Sequence, residues 1–141
     1  MTLYLDTSLL VAALTNEAST ERVQTWLGQQ DPDDLHISVW AMTEFSSALA
    51  LKLRTGQIEM TQRADTLSRF MLLRAETFST LAVTSEHFLL AGRFVDRHEL
   101  GLRAGDALHL AIASEQGAKL CTLDKKLADA GVAFGVQSML V

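Results

Sequence analysis

The sequence predicts an α/β fold, with a mostly parallel central sheet of about five short strands covered by helices on both faces. Three observations predict it. Short apolar runs recur along the chain, stretches with helical spacing separate them, and glycines or capping residues stand at many of the joins. Leu3–Leu5 reads as a buried strand. Ser8–Leu14 follows as a helix with Thr7 or Ser8 placed to cap it, and a second helix covers Thr20–Leu27. Leu35–Val39 alternates apolar and polar residues as a strand does. Ala41–Arg54 carries Phe45, Leu49 and Leu53 at helical spacing, with Gly56 where a helix-ending glycine belongs.

The second half repeats the alternation. Thr61–Glu76 is an amphipathic helix, Leu81–Val83 a brief strand, and Thr84 or Ser85 caps a helix running to about Arg97. Gly101–Gly105 reads as a loop opening into a helix from Asp106 to about Glu115, closed by Gly117. Lys119–Thr122 is a strand, Lys125–Ala130 a short helix ended by Gly131, and Val132–Val136 a last strand. Trp40 and Phe45, Phe70, Phe88 and Phe94 lack the basic interleaving of a base-stacking platform, so they are read as packing or dimer surface.

Composition narrows the class. A chain of 141 residues with 48% hydrophobic content fits one globular domain, taken here as 1–141. Cys121 is the single cysteine; with no partner for a disulfide or a structural zinc site, it reads as a buried apolar residue in a reducing compartment. Neither a secretory signal nor an apolar run long enough to span a bilayer is legible, and a cytoplasmic location is expected. The net charge is −5, from 17 acids and 12 bases, which argues against a protein that grips nucleic acid by counterion release alone. If four acids converge on a metal, the remainder carries −5 + 4 = −1, and the acidity is mostly local.

Four acids stand out by position. Asp6 follows the first strand, Glu44 lies in the first turn of the helix after the second, Asp106 opens a helix after a glycine-flanked loop, and Asp124 follows the Lys119–Thr122 strand. In parallel sheets, functional groups gather at the carboxyl ends of the strands. Taken singly, each acid is equally an N-cap, a favourable charge on a helix dipole or a solvated turn. Together they make a site that needs a cation, because clustered carboxylates repel and are costly to desolvate. Hard oxygen donors suit Mg²⁺, with Mn²⁺ as the alternative. One or two such ions activate water and stabilise charge on phosphoryl oxygens, which is chemistry for cleaving a phosphodiester. Thr122, two residues before Asp124 on a strand, points the same way and is placed to orient it or a water.

Leu3-Tyr4-Leu5-Asp6-Thr7-Ser8, Thr43-Glu44-Phe45, the stretch Arg103–Ala113 with its Gly-Asp-Ala-Leu-His start, and Thr122-Leu123-Asp124 together resemble a PIN domain. More narrowly, the chain looks like a VapC-type ribonuclease toxin of a toxin–antitoxin pair, over essentially its whole length. The resemblance implies a PIN-like three-layer α/β/α fold and a Mg²⁺-dependent endoribonuclease. Asp6, Glu44, Asp106 and Asp124 then form the acidic metal site, Thr122 is the hydroxyl beside the last acid, and Thr7 and Ser8 are secondary. It also implies an RNA substrate, a small antitoxin partner and a homodimer. Arg103 is the candidate phosphate contact, with a solvent-facing loop arginine as the plainer reading. His109, one turn beyond Asp106, reads first as a packed or hydrogen-bonded histidine and second as a general base. Two rivals stay open: a catalytically silent PIN-like binding module, and an α/β phosphoryl-transfer domain, although Asp6 has no acidic neighbour of the kind such domains use.

Overall fold

The structure, a computed structural model, describes residues 1–141. Its strands are β1 (Leu3–Leu5), β2 (Leu35–Ser38), β3 (Ser79–Leu81), β4 (Lys119–Thr122) and β5 (Ser138–Leu140). Its helices are α1 (Thr7–Leu14), α2 (Thr20–Gly28), α3 (Val39–Arg54), α4 (Met60–Glu76), α5 (Ser85–Asp96), α6 (Ala104–Gln116) and α7 (Lys125–Ala133). Short 3₁₀ turns at Pro32–Asp34 and His98–Leu100 lead into β2 and towards α6. All pairings are parallel, in the order β3-β2-β1-β4-β5.

Strand alternation divides the core into two layers. Leu3, Leu5, Leu35, Ile37 and Cys121 point to one face, where α1–α4 cover them with Leu9, Leu10, Phe45, Leu49 and Phe70. Tyr4 and Leu120 point to the other face, under Phe94 of α5, Leu110 and Ile112 of α6, and Leu127 of α7. Burial of each large apolar side chain contributes about 1.5–3 kcal/mol relative to exposure, so both helical layers are held to the sheet by the same effect. The expected three-layer α/β/α architecture is therefore present, and no helix is long and apolar enough to cross a membrane.

Several boundaries differ from those read in the sequence. Asp6, not Thr7 or Ser8, caps α1, because its extended backbone and carboxylate meet the Leu9 N–H. Helix α3 begins at Val39, which moves Glu44 from the first turn into the second. Strand β3 spans Ser79–Leu81 and not 81–83: pairing with β2 sets its register, whereas apolarity alone favours the later residues. Helix α6 starts at Ala104, so Asp106 is its third residue and not its opening one. Gly131 lies inside α7 and does not end it; a Cβ there would collide with the Ser138 hydroxyl, so glycine serves close packing against β5. The last strand is consequently Ser138–Leu140 and not 132–136. Gly117, by contrast, ends α6 as expected, at φ +61°, where a side chain would be strained.

Of the aromatic set, Phe45, Phe70 and Phe94 are core residues, and Trp40 packs against the α5–α7 layer. Phe88 differs, standing 58% exposed on α5.

Candidate active site

The strand order runs outward from β1 in both directions, to β2 and β3 on one side and to β4 and β5 on the other. The crevice of such a sheet opens at this switch, between the carboxyl ends of β1 and β4. Asp6 and Asp124 leave the sheet there. The ladder continues one step past β1, with the Asp6 N–H donating to the Cys121 carbonyl at 3.2 Å.

Asp6 is almost fully buried, and its two oxygens are separately held. Ser8 Oγ donates to Oδ1 at 2.5 Å and the Leu9 N–H reaches the same oxygen at 3.4 Å, while Thr122 Oγ1 donates to Oδ2 at 2.5 Å. Two further bonds tie the strand ends together: the Leu123 N–H donates to Ser8 Oγ and the Asp124 N–H to Thr122 Oγ1. Thr122 therefore orients Asp6, and it touches Asp124 only through the backbone, a correction to the role read from strand spacing. Burial pushes the Asp6 carboxyl above its ordinary range, against the lowering effects of His109, Ser8, Thr122 and the Leu9 N–H.

Glu44 reaches in from α3. Its Oε1 accepts from Thr7 Oγ1 at 2.7 Å and from His109 Nε2. Burial raises its pKa, but the His109 hydrogen bond and charge and the Thr7 hydroxyl outweigh that, so the carboxyl lies below its usual range. Glu44 Oε2 lies against Gly105, where a Cβ would come within 2.9 Å of it and 3.4 Å of Trp40 Cζ2. A side chain before Asp106 would have to displace the Glu44 carboxylate.

Asp106 is half-buried, and its carboxylate takes part in none of the hydrogen bonds or ion pairs of the site. Its pKa is raised by burial, and then by repulsion from Asp124, Asp6 and Glu44, with His109 opposing. All three other acids are therefore near enough to act on it. Asp124 caps α7, its Oδ1 accepting from the Lys126 N–H at 2.9 Å and the Leu127 N–H at 3.3 Å. An open cleft of about 680 Å³ is lined by Thr7, Ser8, Glu17, Glu44, Arg103 and Asp124 among others, so two of the four acids, Glu44 and Asp124, face it directly. A separate cleft of about 400 Å³, beside α4 around Gln24, Lys52 and Arg69, contains none of the four acids.

Glu44 and Asp124 line the first cleft with the exposed Arg103, and Asp106 lies within reach of the charge of the other three acids. The four acids do not already form a closed ligand cage: no three His, Cys, Asp or Glu side chains converge in metal-ligand geometry. Asp6 commits both oxygens to protein donors, and Glu44 and Asp124 commit one each. Mg²⁺ retains several waters and is typically held through one or two carboxylates, so a rim of hard oxygens around an unpartnered Asp106 fits such an ion without a cage.

His109, Tyr4, Ser38 and Gly105 complete the site, and sequence reasoning gave none of them a firm role. His109 alone had a signal, its position three residues after Asp106. Lys125, next to Asp124, pairs with Asp129 along α7 at 2.8 Å and is spent on its own helix.

A five-stranded parallel sheet between two helical layers, with Asp6 and Asp124 at its central switch point, defines the class of fold. The PIN domain family matches residues 3–133, and this chain belongs to it. It is 30% identical over 129 residues to Ribonuclease VapC3 of Pyrobaculum aerophilum, covering 92% of this chain and 94% of that one. Among solved structures, FitAcB from Neisseria gonorrhoeae superposes with a TM-score of 0.78 at 19% identity, covering 98% of this chain and 96% of that one. VapC20 of Mycobacterium tuberculosis, described as a Sarcin-Ricin loop cleaving toxin, gives 0.75 at 17% identity, covering 92% and 95%. At these identities the solved structures establish the fold, and the family assignment sets aside the phosphoryl-transfer alternative.

Proposed function

We propose that this chain is a divalent-metal-dependent endoribonuclease and the toxin member of a toxin–antitoxin pair. Asp6, Glu44, Asp106 and Asp124 hold Mg²⁺, or Mn²⁺ in its place. The observation that carries the reading is the electrostatics of Asp106: a half-buried carboxylate without a hydrogen-bond donor, pushed above its ordinary range by burial and by three neighbouring acids. A cation beside such a group favours its ionised form. The relative named Ribonuclease VapC3 supports RNA as the substrate.

When bound, the ion supplies Lewis acidity towards a phosphoryl oxygen and lowers the pKa of a water. The chain's own residues supply the frame. Thr122 and Ser8 fix Asp6, Thr7 and His109 fix Glu44, and the α7 cap fixes Asp124. Arg103, exposed at the rim, is placed to meet a phosphate of the entering strand. A small antitoxin protein that covers the cleft, and assembly as a homodimer, complete the reading. The antitoxin partner draws support from a solved structure of similar fold described as a toxin-antitoxin complex from Klebsiella pneumoniae.

The test is cleavage of single-stranded RNA with Mg²⁺ or Mn²⁺. Loss of cleavage on chelation and in Asp106→Asn is expected; undiminished cleavage by a folded Asp106→Asn chain would remove the four-carboxylate mechanism.

A further inference from the structure

Behind Glu44 lies a chain of polar groups that packing alone does not require. His109 is buried in α6, yet both ring nitrogens are engaged. Nε2 faces Glu44 Oε1 and lies 3.2 Å from Thr7 Oγ1, and Nδ1 lies 2.7 Å from the Tyr4 hydroxyl. Tyr4 OH in turn lies 2.8 Å from Ser38 Oγ. Tyr4 and Ser38 are fully buried, at 0% exposure each. Burying a polar group costs free energy unless it is hydrogen-bonded, so this row from β2 through β1 and α6 to α3 is satisfied only as a unit.

The consequence falls on Glu44. A carboxylate only accepts hydrogen bonds, so Nε2 must be the donor, whatever the state of Nδ1. Oε1 is thereby tied to Thr7 and His109. Oε2 takes no hydrogen bond from the protein and lies against Gly105, next to Asp106. The carboxylate is divided: one oxygen is held and the other is left to the rim.

We propose that His109 is a positioning residue that fixes Glu44 so that Oε2 is presented for a divalent cation, with Tyr4 and Ser38 locking the imidazole behind it. This rests on the metal reading above. The role is one of geometry: the imidazole, with Thr7, restricts the side-chain conformations open to Glu44.

The experiment is Mn²⁺ binding to the full chain, followed by the electron paramagnetic resonance of free Mn²⁺, alongside kcat and KM for RNA. His109→Leu should weaken Mn²⁺ binding about ten- to a hundredfold, the range seen when groups behind metal ligands are removed. His109→Gln, which keeps an N–H within reach of Glu44, should recover most of it. Tyr4→Phe deletes one oxygen from the chain and should weaken binding severalfold; it carries the test if His109→Leu does not fold. In both weakened variants the metal-free chain should keep the wild-type circular dichroism and remain fully folded at the assay temperature, which separates the loss from a general fault in the fold. Wild-type uptake that is lost in Asp106→Asn but unchanged in folded His109→Leu and Tyr4→Phe overturns this inference alone. A wild-type chain that takes up no Mn²⁺ overturns the metal reading and this inference together.

Discussion

Two buried histidines are arranged alike in different parts of the molecule. His109 on α6 faces Glu44 of α3, and His87 on α5 faces Glu115 of α6; both imidazoles are 2% exposed. Each ring is also held from behind at Nδ1, His109 by Tyr4 OH and His87 by the Thr84 N–H at 3.0 Å within the α5 capping box. The carboxylates differ. Glu115 is 50% exposed and stands among no other acids of the site, whereas Glu44 is 29% exposed and lines the cleft with Asp124. One arrangement pins two helices together at the surface; the other restrains an acid beside three more. A buried histidine–glutamate pair is therefore no sign of function in itself, and what the carboxylate's free side meets decides its meaning.

The largest expected effect separates the regions outright. Asp106→Asn should lower RNA cleavage on the order of a hundredfold or more, since removing a ligand costs at least as much as removing a group behind one. His87→Gln should leave cleavage unchanged. Equal losses in the two variants, measured on folded protein, would erase the distinction.

Stability sharpens it with opposite signs. The Asp106 and Asp6 carboxyls lie above their ordinary range, so the metal-free fold binds their protons more readily than the unfolded chain does. Its stability should rise as pH falls through those raised values, because stability falls with pH wherever the folded state holds more protons. Glu44 lies below its ordinary range, so its contribution is complete above the unfolded value and is lost only as pH falls further, through the lowered folded value. Thermal unfolding without metal should thus show a gain on mild acidification followed by a loss in stronger acid, and saturating Mg²⁺ should abolish the gain. Asp106→Asn should stabilise the metal-free protein by about 1 kcal/mol, a few degrees in Tm, after discounting for its partial exposure. A lower Tm for that variant would contradict the repulsion.

The surface pair predicts a different split. His87→Leu removes the group that closes the Thr84 capping box and faces Glu115, and should cost about 1 kcal/mol in denaturant unfolding with kcat for RNA unchanged. Gly105→Ala should do the reverse. Alanine favours helix over glycine by up to about 1 kcal/mol, but its Cβ must displace the Glu44 carboxylate, so cleavage should fall severalfold while Tm holds or rises. The smallest effect concerns Cys121, whose thiol burial pushes up to about 12. It should resist alkylation in the native state and react at the rate of unfolding.

Much of the architecture was legible because it follows from periodicity. Leu3–Leu5 and Lys119–Thr122 were placed to the residue, since β1 and β4 are central strands whose apolar content marks their ends. Strands β3 and β5 were misplaced, because at the sheet's edges pairing with a neighbour outweighs apolarity, and Ser79 and Ser138 give no apolar signal. The positions of Asp6 and Asp124 at strand ends were legible because strand ends are countable along the chain. The frame around them was not. Tyr4 and Ser38 touch through contacts 34 residues apart, and Tyr4 meets His109 across 105, a relation that exists only once both layers have closed on the sheet. Thr122 was found, but its partner was assigned by local spacing, while its actual acceptor is 116 residues away.

Two of the acids, Asp6 and Asp124, are also the residues on which α1 and α7 begin. Deleting either side chain to silence the enzyme therefore also unfastens a helix from the middle of the sheet, and an inert product would say little about chemistry. Asparagine, isosteric with aspartate and as good a helix opener, separates the two duties: it leaves the scaffold fastened while withdrawing the negative charge. An inactive chain meant for capturing RNA or a protein partner is better made by amidation at these positions than by truncation.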